Sequence, residues 1–138
     1  MLLNIKTGYR GVTQRDQKDL VYLCTHIRNI IEGCSSWCFT DGHAKDSLTS
    51  YYNRIEDLVN VEWSIVGMKY WYNDENNPDR MRRKQAEFLV KNHIPIKCIS
   101  GIIVYDQSVK EKIVAFMVET GCVLPIYVDC DHKYFFEQ

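Results

Sequence analysis

The residues with the most chemical potential stand at Gln85-x-Glu87, directly after the run Arg80-Met81-Arg82-Arg83-Lys84. If Gln85 to Val90 is a strand, successive side chains alternate. Gln85, Glu87 and Leu89 then share one face and Ala86, Phe88 and Val90 the other. A carboxylate two residues from a carboxamide, at the mouth of a loop rich in cations, can bind sugar hydroxyls or activate a nucleophile beside an anionic ligand. The same pattern also suits an edge strand carrying one solvated glutamate. Asp41, Glu87 and Lys91 allow a third reading, a metal-dependent nuclease, because Glu87 and Lys91 fall on one face of a regular strand. Cys34, Cys38 and His43 also carry metal-binding atoms, but their spacing fits no standard closed zinc site and a fourth ligand is not apparent.

These residues need elements to position them. Trp37-Cys38-Phe39 has the composition of a short strand, and Thr40-Asp41-Gly42-His43 turns out of it. Leu48, Tyr51, Tyr52, Ile55, Leu58 and Val59 follow helical spacing, which predicts a helix capped by Thr40 or Asp41. His43 would sit on its first turn, where exposed amides favour an anionic group. Val61 to Tyr72 is dense in β-branched and aromatic residues, and its period fits either a strand or a short helix. Trp63, Tyr70, Trp71 and Tyr72 suit a core, and just ahead of a basic loop they also suit base stacking. Asn73 to Pro78 is a polar loop that runs into the cations.

The remaining chain supplies a scaffold. Residues 1–18, with Gly8 and Gly11, read as an irregular lead-in. Leu20 to Thr25 predicts a buried strand, followed by one or two helical turns from Ile27 that stop at Gly33. Pro95 opens a turn through Cys98, and Ser100 to Tyr105 predicts another strand. Ser108-x-x-Glu111 has the form of a capping box for a helix whose face is Val109, Ile113, Phe116 and Met117 and whose stop is Gly121. Leu124 to Val128 predicts an edge strand, because Pro125 cannot donate to a ladder. The expected class is α+β, a mixed sheet with short helices.

Composition narrows the function classes. A chain of 138 residues, 46% hydrophobic, 12% aromatic and 25% charged, has the profile of one globular domain. Its formal charge of −1 hides a basic cluster at Arg80, Arg82, Arg83, Lys84 and Lys91, set against acids between Glu56 and Glu75 and near the C-terminus. No apolar run has the length of a membrane span and the N-terminus lacks a signal-peptide core, so a cytoplasmic protein with no membrane partner is expected. Six cysteines without a CxxC pair suit small buried hydrophobes in a reducing compartment.

Phe39-Thr40-Asp41-Gly42-His43-Ala44, the Tyr70-Trp71 pair and above all Arg82-Arg83-Lys84-Gln85-Ala86-Glu87-Phe88-Leu89-Val90 resemble, in unchanged order over roughly residues 19–128, the DarT family of DNA ADP-ribosyltransferase toxins. The resemblance implies an ADP-ribosyltransferase-like fold with NAD held in a cleft between two β-sheets. It implies transfer of ADP-ribose from NAD to thymidine bases of single-stranded DNA, reversed by a macrodomain antitoxin, a DNA ADP-ribosyl glycohydrolase. Carried over by position, Glu87 is the catalytic glutamate and Gln85 a cofactor-binding residue. His43, Trp71, Arg82 and Arg83 lie on the acceptor side, and residues 73–84 form the acceptor-facing loop. The family's first strand carries a histidine for NAD and a later arginine grips its phosphates. Both precede the matched region, and neither Arg10 nor Arg15 maps onto that arginine, so an N-terminally truncated domain is expected. Two readings follow from the family: an active transferase, or an inactive relic that binds single-stranded DNA without transferring ADP-ribose.

Overall fold

The structure is a computed structural model that describes residues 2–136. The chain forms two compact units, one made of the residues up to Asn29 together with those from Pro95 onward, the other of Ile30–Ile94. Among the described residues no helix is long and apolar enough to cross a membrane.

The first unit is built on a three-stranded sheet. β1 (Val21–Thr25) pairs antiparallel with β5 (Ile99–Val104), from Val21 opposite Val104 to Thr25 opposite Ile99, with a register shift between Cys24 and Thr25. β5 pairs parallel with β6 (Ile126–Val128), Ile103 facing Tyr127. A parallel pair needs a crossover, and α5 (Gln107–Thr120) supplies it. α5 packs Val109, Ile113 and Met117 against Ile102, Val104, Ile126 and Val128 of the sheet. Phe116, expected on that face, is 62% exposed. The cap also differs from expectation. Asp106, not Ser108, is the N-cap, its carboxylate accepting the Val109 N–H at 3.0 Å, and the Ser108 hydroxyl donates to Asp106 instead. Gly121 closes the helix at φ 67°, as its position predicts.

β1 corrects a second expectation. It lies at the sheet edge and alternates exposed with half-buried, leaving Val21 and Leu23 open, so it is not a buried strand. The lead-in is more ordered than its glycines suggest, with α1 (Leu2–Thr7) and 3₁₀ turns at Tyr9–Gly11 and Gln17–Asp19. The Gln17 carboxamide pairs with the backbone of Phe136 in both directions, at 3.1 and 2.8 Å, as a strand neighbour would.

The second unit contains a three-stranded antiparallel sheet in the order β3-β2-β4, from β2 (Trp37–Thr40), β3 (Tyr51–Tyr52) and β4 (Phe88–Val90). Trp37, Phe88, Phe39 and Tyr52 lie on one face as stacked rings, with centroids 5.4–6.1 Å apart. The helix expected after His43 is absent. Residues 43–50 form a loop, Tyr51 and Tyr52 add a strand, and Ile55–Asn60 is a 3₁₀ segment. The apolar residues at helical spacing therefore belong to separate pieces, and Leu48 is 74% exposed. α3 (Trp63–Val66) settles the ambiguous aromatic stretch as one helical turn followed by open chain, with Trp63 exposed and not in the core. The basic run is also helical, as α4 (Arg80–Arg83). No disulfide joins cysteines among the described residues; Cys98 is buried and Cys130 exposed.

Asp129 anchors the chain beyond β6. It is buried, and its carboxylate accepts backbone N–H groups of Lys133, Tyr134 and Phe135 at 3.0, 2.8 and 2.9 Å. This holds Phe135 edge-on against Tyr22 and Tyr105. Burial by itself raises this carboxyl's pKa, but the three donors outweigh it and the net shift is downward. A carboxylate whose folded pKa is depressed stabilises the fold above its unfolded value near 3.8, and that contribution fades as pH falls through the lower folded value. Asp129→Ala should cost about 2–3 kcal/mol at neutral pH by denaturant unfolding. The gap between wild type and variant should narrow below about pH 4. A pH-independent gap would refute this account of Asp129.

Candidate active site

The site grows from the end of a ladder. β2 and β4 pair from Trp37 opposite Val90 to Phe39 opposite Phe88. The next rung, Thr40 with Glu87, is half backbone and half side chain. The Thr40 N–H donates to the Glu87 carbonyl at 2.9 Å, and the Glu87 N–H donates to Thr40 Oγ1 at 3.0 Å. Thr40 is fully buried, and its hydroxyl donates on to the Gly42 carbonyl at 2.6 Å. With the hydroxyl standing in for a ladder acceptor, the chain can leave the sheet after Thr40 without orphaning the Glu87 amide.

That exit brings His43 to Glu87. His43 Nδ1 lies 3.0 Å from Glu87 Oε1, and the Ala44 N–H donates to the same oxygen at 3.3 Å. No hydrogen bond among the described residues engages Glu87 Oε2. Both side chains are partly open, 43% for His43 and 38% for Glu87. One carboxylate oxygen is fixed by two donors while the other has no hydrogen bond from the described residues, which suits a group that must hydrogen-bond a ligand and take up a proton. His43 reaches Glu87 from a loop, not from a helix N-terminus, so the expected dipole effect plays no part.

The loop is braced by Arg82. Its Nε and Nη2 donate to Asp79 at 2.7–3.0 Å, and its Nη1 donates to Asp41 Oδ1 at 3.0 Å and Thr49 Oγ1 at 3.2 Å. Its carbonyl accepts the His43 N–H at 2.9 Å. The guanidinium is 12% exposed. The hydrogen bond from Arg82 holds the Asp79 carboxyl below its ordinary range, against the opposing effect of burial.

The other predicted site residues are also engaged. Arg83 pairs with Glu62 and lies 3.4 Å from Asp79. Gln85 lies beyond α4 in a turn, where Ala86 N–H bonds to Arg83, so it does not share a strand face with Glu87. Its carboxamide donates to the Met81 carbonyl at 2.8 Å. Arg80 is buried over the Tyr70 ring and bonds Asp74 and the Tyr72 carbonyl. Lys84 is buried against the carbonyls of Ile65, Val66 and Met68 at the end of α3, and desolvation, then the nearby Arg80, lowers its pKa. Trp71 lies 5.2 Å from the Lys84 ammonium and remains 39% exposed, beside the open rings of Tyr70 and Tyr72. Residues 73–84 thus begin as the expected loop and end as a helix whose cations are paired. Asp41, proposed as a metal ligand, has one carboxylate oxygen taken by Arg82 and by the Ser50 N–H.

A sequence model of the family described as ssDNA thymidine ADP-ribosyltransferase, DarT, matches residues 1–136. The chain belongs to the DarT family. Its match takes in the lead-in as well as the motifs. A DNA ADP-ribosyl transferase of Escherichia coli is 29% identical over 127 residues, which is 92% of this chain and 58% of that relative. The fold matches Thermus sp. 2.9 DarT in complex with carba-NAD+, at 25% identity and TM-score 0.81, over 92% of this chain and 63% of that one. The same protein in complex with ADP-ribosylated ssDNA matches at 24% identity and TM-score 0.86, over 98% and 63%. The chain therefore spans somewhat over half the length of these DarT relatives. The α+β architecture is that of DarT ADP-ribosyltransferases.

Sequence reasoning overlooked Thr40, the Ala44 amide and the partners of Arg82. Only the Thr40-Asp41-Gly42-His43 string pointed toward them, and it was read as a turn and cap. Thr40→Val keeps the shape and removes both hydroxyl bonds, leaving the Glu87 N–H unmet in a buried position. It should cost about 2–3 kcal/mol in denaturant unfolding. Thr40→Ser should recover most of that loss, and equal stability of Thr40→Val and wild type would disprove the hydroxyl-completed rung.

Proposed function

We propose that this chain transfers ADP-ribose from NAD to thymine bases of single-stranded DNA, as the toxin of a pair whose antitoxin is a macrodomain glycohydrolase. The observation that carries the reading is the Glu87 carboxylate, anchored through Oε1 by His43 and the Ala44 amide with Oε2 open. The family description, and relatives solved with carba-NAD+ and with ADP-ribosylated ssDNA, support donor and acceptor of these classes.

In the reaction the glycosidic bond from the ribose anomeric carbon to the nicotinamide nitrogen breaks and the pair of electrons leaves with nicotinamide. A bond forms from the same carbon to a thymine ring nitrogen, which gives up its proton. Glu87 suits both halves. Its free oxygen can accept from a ribose hydroxyl and stabilise the positive charge that builds on the sugar, and the carboxylate can take the proton from the attacking base. His43 holds Oε1 so that Oε2 is the oxygen presented, and its partly open ring stands on the acceptor side. Trp71 offers an exposed face for stacking a base, with Tyr70 and Tyr72 alongside. Gln85 and the pair Arg82 and Arg83 remain family-derived candidates for donor and acceptor contacts, though each is hydrogen-bonded within the protein.

Incubation with NAD and a thymine-containing single-stranded oligonucleotide should add the mass of one ADP-ribose to the oligonucleotide. Glu87→Gln should lower the rate by roughly 10²–10⁴-fold, the range for a lost acid–base group. His43→Ala should lower kcat about tenfold or more, since each 1.4 kcal/mol of lost orientation is a factor of roughly ten. Retained transfer in Glu87→Gln would overturn the reading. A mass gain on an oligonucleotide without thymine would overturn the acceptor.

A further inference from the structure

We propose that Arg82 is the positioning residue of the Glu87–His43 pair, acting through the loop it braces and not by contact with DNA. The inference rests on the transfer reading above and assigns the arginine a different part in it. A solvent-facing arginine between two others would be a phosphate ligand, but this side chain is 12% exposed and fixed at several atoms. Asp79 is held by Nε and Nη2, Asp41 and Thr49 by Nη1, and these partners lie at the foot of α4 and at both ends of the loop from Asp41 to Ser50. A phosphate could reach the guanidinium only by displacing carboxylates already in ion pairs. The loop is closed on itself by Asp41 Oδ1 accepting the Ser50 N–H at 3.0 Å, so a guanidinium bonded to Asp41 and Thr49 fixes both of its ends at once.

Gly42 is the second, independent observation. A Cβ at this position would meet Arg82 at Nη1 and would stand 3.0 Å from both its Cγ and its carbonyl oxygen. The backbone of the loop therefore lies directly on the arginine, and the residue that follows, His43, donates its N–H to the Arg82 carbonyl. One residue sets the loop ends through its side chain and the histidine's backbone through its carbonyl. His43 Nδ1 and the Ala44 N–H, the two donors to Glu87 Oε1, are the next atoms along.

The two roles separate in steady-state kinetics and in salt dependence. Arg82→Lys keeps a cation but cannot serve Asp79, Asp41 and Thr49 together. It should lower kcat tenfold or more, with oligonucleotide KM within about twofold of wild type and an unchanged salt slope for oligonucleotide binding. Gly42→Ala, which removes no charge, should do the same. A weakened oligonucleotide KM with unchanged kcat in Arg82→Lys, and a binding slope shallower by about 0.7 as for one lost phosphate contact, would overturn the proposal. So would wild-type turnover in folded Gly42→Ala. Should Arg82→Lys fail to fold, Asp41→Asn is the milder disturbance and should show the same split. If the wild-type chain transfers no ADP-ribose, the imidazole ¹⁵N shifts of His43 still decide the matter. They should move toward those of a free ring in Gly42→Ala and Asp41→Asn, and unchanged shifts would reject the positioning role while leaving the transfer reading to its own test.

Discussion

A cation that leaves water must find oxygen atoms, and the second unit is organised by that requirement. Arg80, Arg82, Arg83 and Lys84 follow one another on a single helical turn, and three of the four are largely buried or nearly so. Their main partners are Asp74 for Arg80, Asp79 and Asp41 for Arg82, Glu62 for Arg83, and the α3 carbonyls for Lys84, with Asp79 shared between Arg82 and Arg83. Unpaired burial of any of them would cost several kcal/mol. The pairings therefore dictate which loops can lie against α4. Hydrophobic contact alone would not specify this, since the aromatic residues between Trp63 and Tyr72 are mostly exposed.

From α4 the chain has only Lys84, Gln85 and Ala86 before Glu87 joins β2. The ladder there is one rung longer than the two backbones can supply, and the Thr40 hydroxyl completes it. This fixes where the carboxylate points, because the backbone on both sides of Glu87 is held: by Thr40 through its own N–H and carbonyl, and by Phe88 opposite Phe39. Rigid backbone beneath and two donors at one oxygen leave little freedom for the side chain. Preorganisation of this sort is what allows a single charge to matter in a transition state.

Much of the scaffold was legible. β2, β5, α2 (Ile27–Gly33), α5 and its Gly121 stop follow from β-branched runs, helical spacing and glycine chemistry, and the Glu87 and His43 pairing followed from neither spacing nor composition. The helix predicted after His43 shows why. Leu48, Tyr51, Tyr52, Ile55 and Leu58 match a 3.6-residue period, yet they lie in a loop, a two-residue strand and a 3₁₀ turn, because Tyr52 pairs with Phe39 and adds its ring to the stack on that face. Tertiary pairing outweighs local periodicity in segments this short. The capping box at Ser108 failed for a similar reason: Asp106, two residues earlier, is the stronger acceptor and also ion-pairs with Lys18.

The basic run teaches the most about reading charge. In sequence it stands as a cluster of cations facing a polar loop, the pattern of a phosphate-binding patch. Asp74 and Asp79 are near neighbours in the chain, but two further counter-charges, Asp41 and Glu62, are 41 and 21 residues from Arg82 and Arg83, too far to register in any local count. Once paired, the segment presents little net charge. Elsewhere in this unit Trp71 and Tyr72 are exposed, and Lys45, Arg54, Lys69 and Lys91 are open to solvent. Stacking on exposed rings responds to salt far less than phosphate pairing does. The Arg82 side chain is 12% exposed, so its pair with Asp41 is screened less than a surface pair, and the brace beneath Glu87 and His43 is correspondingly less sensitive to ionic strength.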